Sequence, residues 1–232
     1  MTIDKRRSYK IVLDCETAPC DKMLDEVTPI NMLAYDIGWA VVDRLGNVYA
    51  TRSFVNADIF LDEKELMKSA YYAKKIPEYW EDIKAGKRIL TSFYNIRKAL
   101  LEDIELYGVK QVFAHNMPFD YGATNNTIRW LTKSKCRYFF PRSVEICDTL
   151  KLARQLIATM PTYQRYCEAN GYMTKHKTPK PRLTAEILYR FISGDEDFEE
   201  EHKGLDDVLI EKEILAYCYR KHKKMEPRLW VD

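Results

Sequence analysis

The sequence predicts an α/β protein in which one mixed, five-stranded β-sheet is flanked by α-helices on both faces. Three observations lead to this class. Three apolar, β-rich runs follow one another near the start, and Asp43-Arg-Leu-Gly-Asn47 between the second and third is a hairpin signal. Further on, short apolar runs alternate with stretches of helical periodicity. Opening hairpins followed by such alternation make a mixed sheet rather than a pure βαβ series.

The elements follow in order. Tyr9–Leu13 reads as a buried strand closed by Asp14, Leu33–Val42 as a second and Val48–Val55 as a third. Asp62–Tyr79 has helical character and is bounded by Pro77. A clearer helix begins at a Thr91 or Ser92 cap. It puts Phe93, Ile96, Leu100, Ile104 and Tyr107 on one face and stops at Gly108. Gln111–Ala114 and Val144–Cys147 are short strands on either side of a helix at Phe119–Leu131. Thr149–Asn170 is helical with a break near Met160-Pro161. A short amphipathic helix follows around Leu183–Ile192, and a last helix runs from about Leu205 to Lys223.

No repeat and no Gly/Ser- or Pro-rich linker divides the 232 residues, so residues 1–232 read as a single domain with a core at about 9–220. Apolar residues make up 46% and charged residues 31%, which excludes the disordered and collagen-like classes. Lys and Arg total 37 against 35 Asp and Glu. A net charge of +2 is too small for a coat that holds nucleic acid by bulk charge, so recognition of an acidic substrate must be local. The basic start has no apolar stretch longer than Ile-Val-Leu, and no uncharged run approaches membrane-spanning length. Six cysteines form no CxxC pair. The expectation is a soluble, cytoplasmic protein without membrane contact.

Acidic residues that interrupt apolar runs are the informative ones. Asp14 and Glu16 in Ile-Val-Leu-Asp-Cys-Glu-Thr lie two apart on a strand, so both carboxylates face one way. Two such charges repel unless a cation lies between them, and Mg²⁺ and Mn²⁺ favour carboxylate oxygens. The other reading is a solvated strand end. His115-Asn116-Met-Pro-Phe119-Asp120 follows the fourth strand and places Asp120 in the first turn of a helix. There a carboxylate either complements the helix dipole or holds a metal. His202 stands five residues before Asp207, at the start of the last helix, as an imidazole near a carboxylate.

In order and context, these segments resemble the DEDDh exonucleases of the DnaQ-like family, on the ribonuclease H-like fold. The strand ending Asp14-Cys-Glu16-Thr17, the unbroken H-N-x-x-F-D of His115–Asp120 and the H-x4-D of His202 and Asp207 carry the resemblance. Cys147-Asp148-Thr149-Leu150 adds the family's strand-to-helix element. The resemblance implies that Asp14, Glu16, Asp120 and Asp207 hold two divalent ions, Mg²⁺ or Mn²⁺, and that His202 activates the attacking water. It also places Thr17, Ala18, Asn116 and Phe119 at the substrate. Ala18-Pro19 departs from the glycine often found after the first motif, in the loop under the terminal nucleotide.

The implied activity is 3′→5′ exonuclease hydrolysis that releases nucleoside 5′-monophosphates, from single-stranded DNA first and RNA second. The implied partner is a single-stranded 3′ end, with a polymerase or another replication or repair protein joining in trans. The rivals are an RNA-trimming exoribonuclease of the same family and a catalytically silent module that binds nucleic-acid ends or a polymerase.

Other residues weigh less. Cys15 alternates away from its acidic neighbours and reads as a packing residue. Asp148 and Asp206 read as capping or hydrogen-bonding groups. Tyr172–Arg182, with Lys175, Lys177, Lys180 and Arg182 and no acid, reads either as an arm on phosphates beyond the terminal nucleotide or as a solvated loop. The acidic run Asp195–Glu201 reads as a solvated connection whose charge favours protonated His202. Tyr35, Trp39, Trp80, Tyr121, Trp130 and Tyr163 offer aromatic faces for bases, though most such rings are core.

Overall fold

The computed structural model describes residues 3–4, 6–20, 31–221 and 224–230. The strands are β1 (Lys10–Pro19), β2 (Met32–Val42), β3 (Val48–Asn56), β4 (Ile89–Thr91), β5 (Gln111–Ala114) and β6 (Glu145–Asp148). They form one sheet in the order β4-β3-β2-β1-β5-β6. The β1/β2 and β2/β3 pairs are antiparallel, and β3/β4, β1/β5 and β5/β6 are parallel. The expected mixed sheet with helices on both faces is the one the chain adopts. It has six strands rather than five, because the three residues of β4 add a parallel edge beside β3.

The helices are α1 (Ala57–Phe60), α2 (Lys64–Ser69), α3 (Ile76–Lys84), α4 (Phe93–Tyr107), α5 (Met117–Thr132), α6 (Thr149–Gln155), α7 (Pro161–Ala169), α8 (Ala185–Ser193) and α9 (Gly204–Lys221). The expected helix over Asp62–Tyr79 is instead α2, a 3₁₀ turn and the start of α3. Pro77 opens α3 rather than closing a helix, since the first turn does not need its missing N–H. The cap and stop of α4 are as read: Ser92 Oγ accepts from Asn95 N, and Gly108 turns left-handed at φ 62°. The expected end of the last helix at Lys223 lies outside the described residues.

Alternation along β1 and β2 sorts the core onto two faces. Ile11, Leu13, Ile37, Trp39 and Val41 pack on one face in a cluster with Phe93, Ile96 and Leu100 of α4 and Met117 and Ala123 of α5. Val12, Ala40 and Val42 pack on the other with Leu152 of α6, Tyr163 of α7, Leu188 of α8 and Val208 and Ile214 of α9. Tyr35, Trp39 and Tyr163 are therefore core rings, while Trp80 is partly exposed. A third cluster surrounds Ala18, Tyr35, Phe60 and Tyr79. Among the described residues, no helix is long and apolar enough to cross a membrane.

Two strand relations position the site. β1 does not end at Asp14 but runs to Pro19, with a bulge between Glu16 and Thr17. β5 pairs β1 only at Ile11 and Val12, so beyond that point this side of β1 is open to side chains.

Candidate metal centre

The register places Asp14 opposite Gly38 and Glu16 opposite Asp36, so these four residues share the face on which α9 lies. The start of α9 comes very close to the sheet there. A Cβ at Gly38 would stand 2.2 Å from Leu205 N, and one at Gly204 would stand 2.9 Å from Gly38 N and 3.1 Å from Asp14 O. Only glycines allow this contact, and through it Asp207 reaches Asp14 and Glu16.

Asp120 arrives from the opposite face, on the first turn of α5. Its Oδ1 accepts hydrogen bonds from Cys15 N at 3.1 Å and Cys15 Sγ at 3.2 Å, across the open side of β1. Cys15 therefore does not turn away from the acidic group as its alternation suggested. Its thiol packs in the first core and also touches Asp120, because that carboxylate enters from the Cys15 side of the strand.

Asp120 and Asp207 are buried, and Asp14 and Glu16 keep some contact with solvent. Burial pushes Asp14 well above the ordinary carboxylate range, and Asp120, Glu211, Glu16 and Asp207 push it further. Burial also lifts Glu16 to about 8, with Asp36 and Asp120 adding to it. Asp207 rises to about 9 through burial and then through Glu200 and Glu16. Asp120 reaches about 7 through burial, against the lowering hydrogen bonds from Cys15. Carboxyls crowded in this way hold protons until a cation takes their place.

His202 lies at the rim in the left-handed region, at φ 49°. Its ring stacks on Tyr72 with centroids 4.6 Å apart, and Nδ1 is 3.8 Å from Glu200 Oε2. Ligand atoms of Glu16, His202 and Asp207 all lie within 4.8 Å of one another. Burial and then Lys75 lower the pKa of His202, so the neutral ring is favoured, the reverse of what the acidic run before it suggested. Nor is that run wholly solvated: the Glu200 side chain is only 16% exposed, and burial raises it to about 7.

Residues from the second motif have distinct surroundings. His115 is fixed on both ring nitrogens, Nε2 donating to Leu183 O at 2.7 Å while Nδ1 lies 3.0 Å from Thr149 Oγ1. Asn116 is exposed and left-handed at φ 73°, and its N–H donates to Asp148 Oδ1 at 3.1 Å. Asp148 also caps α6 through Leu150 N, as its capping reading required. Thr17 and Phe119 are half-buried, whereas Ala18 is wholly buried in the third cluster and paired with Leu33 on β2, so the expected substrate contact at Ala18 is not accessible. Asp206 points outward and pairs with Arg88 at 3.5 Å.

Two acidic residues escaped the sequence reading. Glu211 lies one turn after Asp207 on the buried face of α9, 3% exposed, and accepts from His115 N at 3.2 Å. Burial, then Asp120 and Asp207, raise it well above its ordinary range. The signal was a charge four residues from Asp207 amid Val208, Ile210 and Ile214. Asp36, in the middle of an apolar run, is fully buried and accepts from Arg88, Tyr79 and Gly204.

No family model matches this chain. No curated protein matches it either. Among solved structures the chain is similar to Exonuclease X in complex with 5′ overhanging duplex DNA. The identity is 15% over 91% of this chain and 92% of that one, with a TM-score of 0.38. It is also similar to the zinc-ion-bound form of an E. coli ExoI–ssDNA complex, at 13% identity and a TM-score of 0.49. That match covers 89% of this chain but only 39% of the other. What the chain does must be read from its own side chains.

Proposed function

We propose that the protein is a divalent-metal-dependent 3′→5′ exonuclease of the DEDDh type, within the DnaQ-like family, that releases nucleoside 5′-monophosphates. One observation carries this reading: β1, α5 and α9 bring Asp14, Glu16, Asp120 and Asp207 to one place, with His202 at its rim. The donor set fits a hard cation. Among the described residues Asp207 Oδ1 is buried without a hydrogen-bond partner, an arrangement costly for a carboxylate that has no counter-charge. Asp14, Glu16, Asp120 and Asp207 would hold two ions, Mg²⁺ or Mn²⁺.

When bound, the ions supply charge that stabilises the attacking and leaving oxygens of a phosphodiester. The chain's residues do the rest. His202, held neutral, accepts the proton of the attacking water. Tyr72 keeps its ring in place by stacking. Asn116 offers an exposed amide to the terminal nucleotide, and Phe119 and Thr17 border it. Single-stranded DNA is the first substrate and RNA the second.

The test is digestion of matched 5′-labelled and 3′-labelled DNA and RNA oligonucleotides with and without EDTA. A 5′-labelled strand should shorten as a ladder, EDTA should stop the reaction, and a 3′-phosphate should block it. Rapid cutting of a closed circular single strand would overturn the reading.

A further inference from the structure

Beside the acidic centre lies a groove of about 1540 Å³ between α6 and α7 on one side and a hairpin of residues 172–184 on the other. The hairpin has a built frame. Thr174 N donates to Lys180 O at 2.8 Å, Lys180 N to Thr174 Oγ1 at 2.9 Å and Arg182 N to Tyr172 O at 2.9 Å, with a bridge between Met173 and Pro181. Pro179 and Pro181 stiffen the returning strand. Its base is fixed to the protein by Tyr163 OH donating to Arg182 O at 2.5 Å and by His115 Nε2 donating to Leu183 O. The segment is solvated, as one reading had it, with residues 175–180 exposed, but it is an ordered hairpin rather than a loose loop.

The groove's charge is one-sided. Arg154 on α6 and Lys177, Lys180 and Arg182 on the hairpin line it together with His176, and Glu168 is the sole acid in the lining. Among the described residues, none of those four cations has a carboxylate within salt-bridge distance. Cations that a protein leaves unneutralised along one groove attract a polyanion. His115 and Asn116 belong to the lining, and His115 N–H is bonded to Glu211 of the acidic centre. The groove and the centre therefore adjoin through His115.

We propose that this groove carries the sugar-phosphate backbone of the single strand whose 3′ end enters the centre, with Arg154, Lys177, Lys180 and Arg182 on its phosphates. The proposal rests on the exonuclease reading for the direction of the strand and on the groove's own charge for the binding.

The experiment measures affinity for a fluorescent oligothymidylate and for a labelled dinucleotide in EDTA, over a range of salt, so that binding is read without cutting. The full chain should bind the long strand far more tightly than the dinucleotide. The triple variant Lys177→Ala/Lys180→Ala/Arg182→Ala should lose most of that difference. The slope of log affinity against log salt should become shallower by roughly 2, at about 0.7 per phosphate contact on single strands. A control, Lys84→Ala/Lys98→Ala/Lys110→Ala, removes equal charge from exposed sites elsewhere and should keep the wild-type slope. Wild-type affinity and slope in the groove variant would overturn the proposal. So would displacement of the oligonucleotide by polyglutamate at equal charge concentration, which would assign the groove to acidic protein. If the wild type binds long strands through these residues yet hydrolyses nothing, the groove stands and the exonuclease reading falls.

Discussion

Gly204 donates its backbone N–H to the fully buried carboxylate of Asp36 at 3.0 Å, tying the loop that carries His202 to the second strand of the sheet. The same carboxylate accepts Arg88 Nη1 at 2.7 and 2.6 Å and Tyr79 OH at 2.8 Å. Burial raises the pKa of Asp36 overall, against the opposing pull of Arg88, Tyr79 and the Gly204 N–H. A loop held in a left-handed residue at His202 needs such an anchor, because nothing in regular structure supports it.

Breaking this anchor on one side should be costly. Asp36→Asn leaves the Arg88 guanidinium, 4% exposed, with Asp82 and Asp206 as its remaining acidic partners among the described residues. A loss of about 3–5 kcal/mol is expected from urea unfolding. Arg88→Met should cost a similar amount, and the double variant should lose clearly less than the sum. Additive losses would show that the two groups do not act as a pair.

Acidity should stabilise the metal-free protein. Unfolded Asp and Glu release their protons near pH ~4, whereas Asp120, Glu16 and Asp207 hold theirs to about 7, 8 and 9. Between those limits the native state binds more protons than the unfolded chain, so stability falls as pH rises. A divalent ion displaces these protons, so its stabilising effect should grow over the same range. Melting temperatures in EDTA and in Mn²⁺ from about pH 5 to pH 9 test both slopes. A metal-free melting temperature that stays flat with pH would contradict the crowding of these carboxyls.

Glu211→Gln separates a ligand-supporting role from a purely structural one. The amide oxygen can still accept from His115 N, so the helix contact survives. Removing one of five mutually repelling acids should raise the metal-free melting temperature at alkaline pH. It should also weaken metal binding by roughly 10–100-fold, the usual effect of losing an outer-shell partner. Isothermal calorimetry with Mn²⁺ gives the second figure, and unchanged affinity would leave Glu211 as packing alone.

For His202→Ala, turnover should fall by roughly 10²–10⁴ while metal affinity stays close to wild type. The wild-type pH–rate profile should show an acidic limb below the ordinary imidazole value, because burial and Lys75 lower the ring's pKa. The variant should lack that limb. A large loss of metal affinity would instead make His202 a ligand alongside Glu16 and Asp207, which its position allows.

Where patterns were local, the sequence was informative. Ser92 and Gly108 bounded α4, and the three acidic motifs sat where strands or helices could present them together. What escaped depended on distant partners. β4 is too short for periodicity and exists because β3 offers a parallel edge. Cys15 obeyed its alternation, yet α5 brought a carboxylate to its side of the sheet. Glu200 read as one more charge in an acidic run until folding half-buried it beside His202. Asp36 and Glu211 were visible as charges inside apolar patterns, but the groups that answer them lie on other elements.

The glycine-to-glycine contact between β2 and the start of α9 also fixes an order of events during synthesis. Asp14 and Glu16 leave the ribosome well before Asp207, which lies far downstream of them. With Gly38 and Gly204 apart, two carboxylates on β1 and one on α5 face each other without the fourth, and His202 has no fixed place. A nascent chain therefore carries an incomplete acidic centre until α9 has docked against β2.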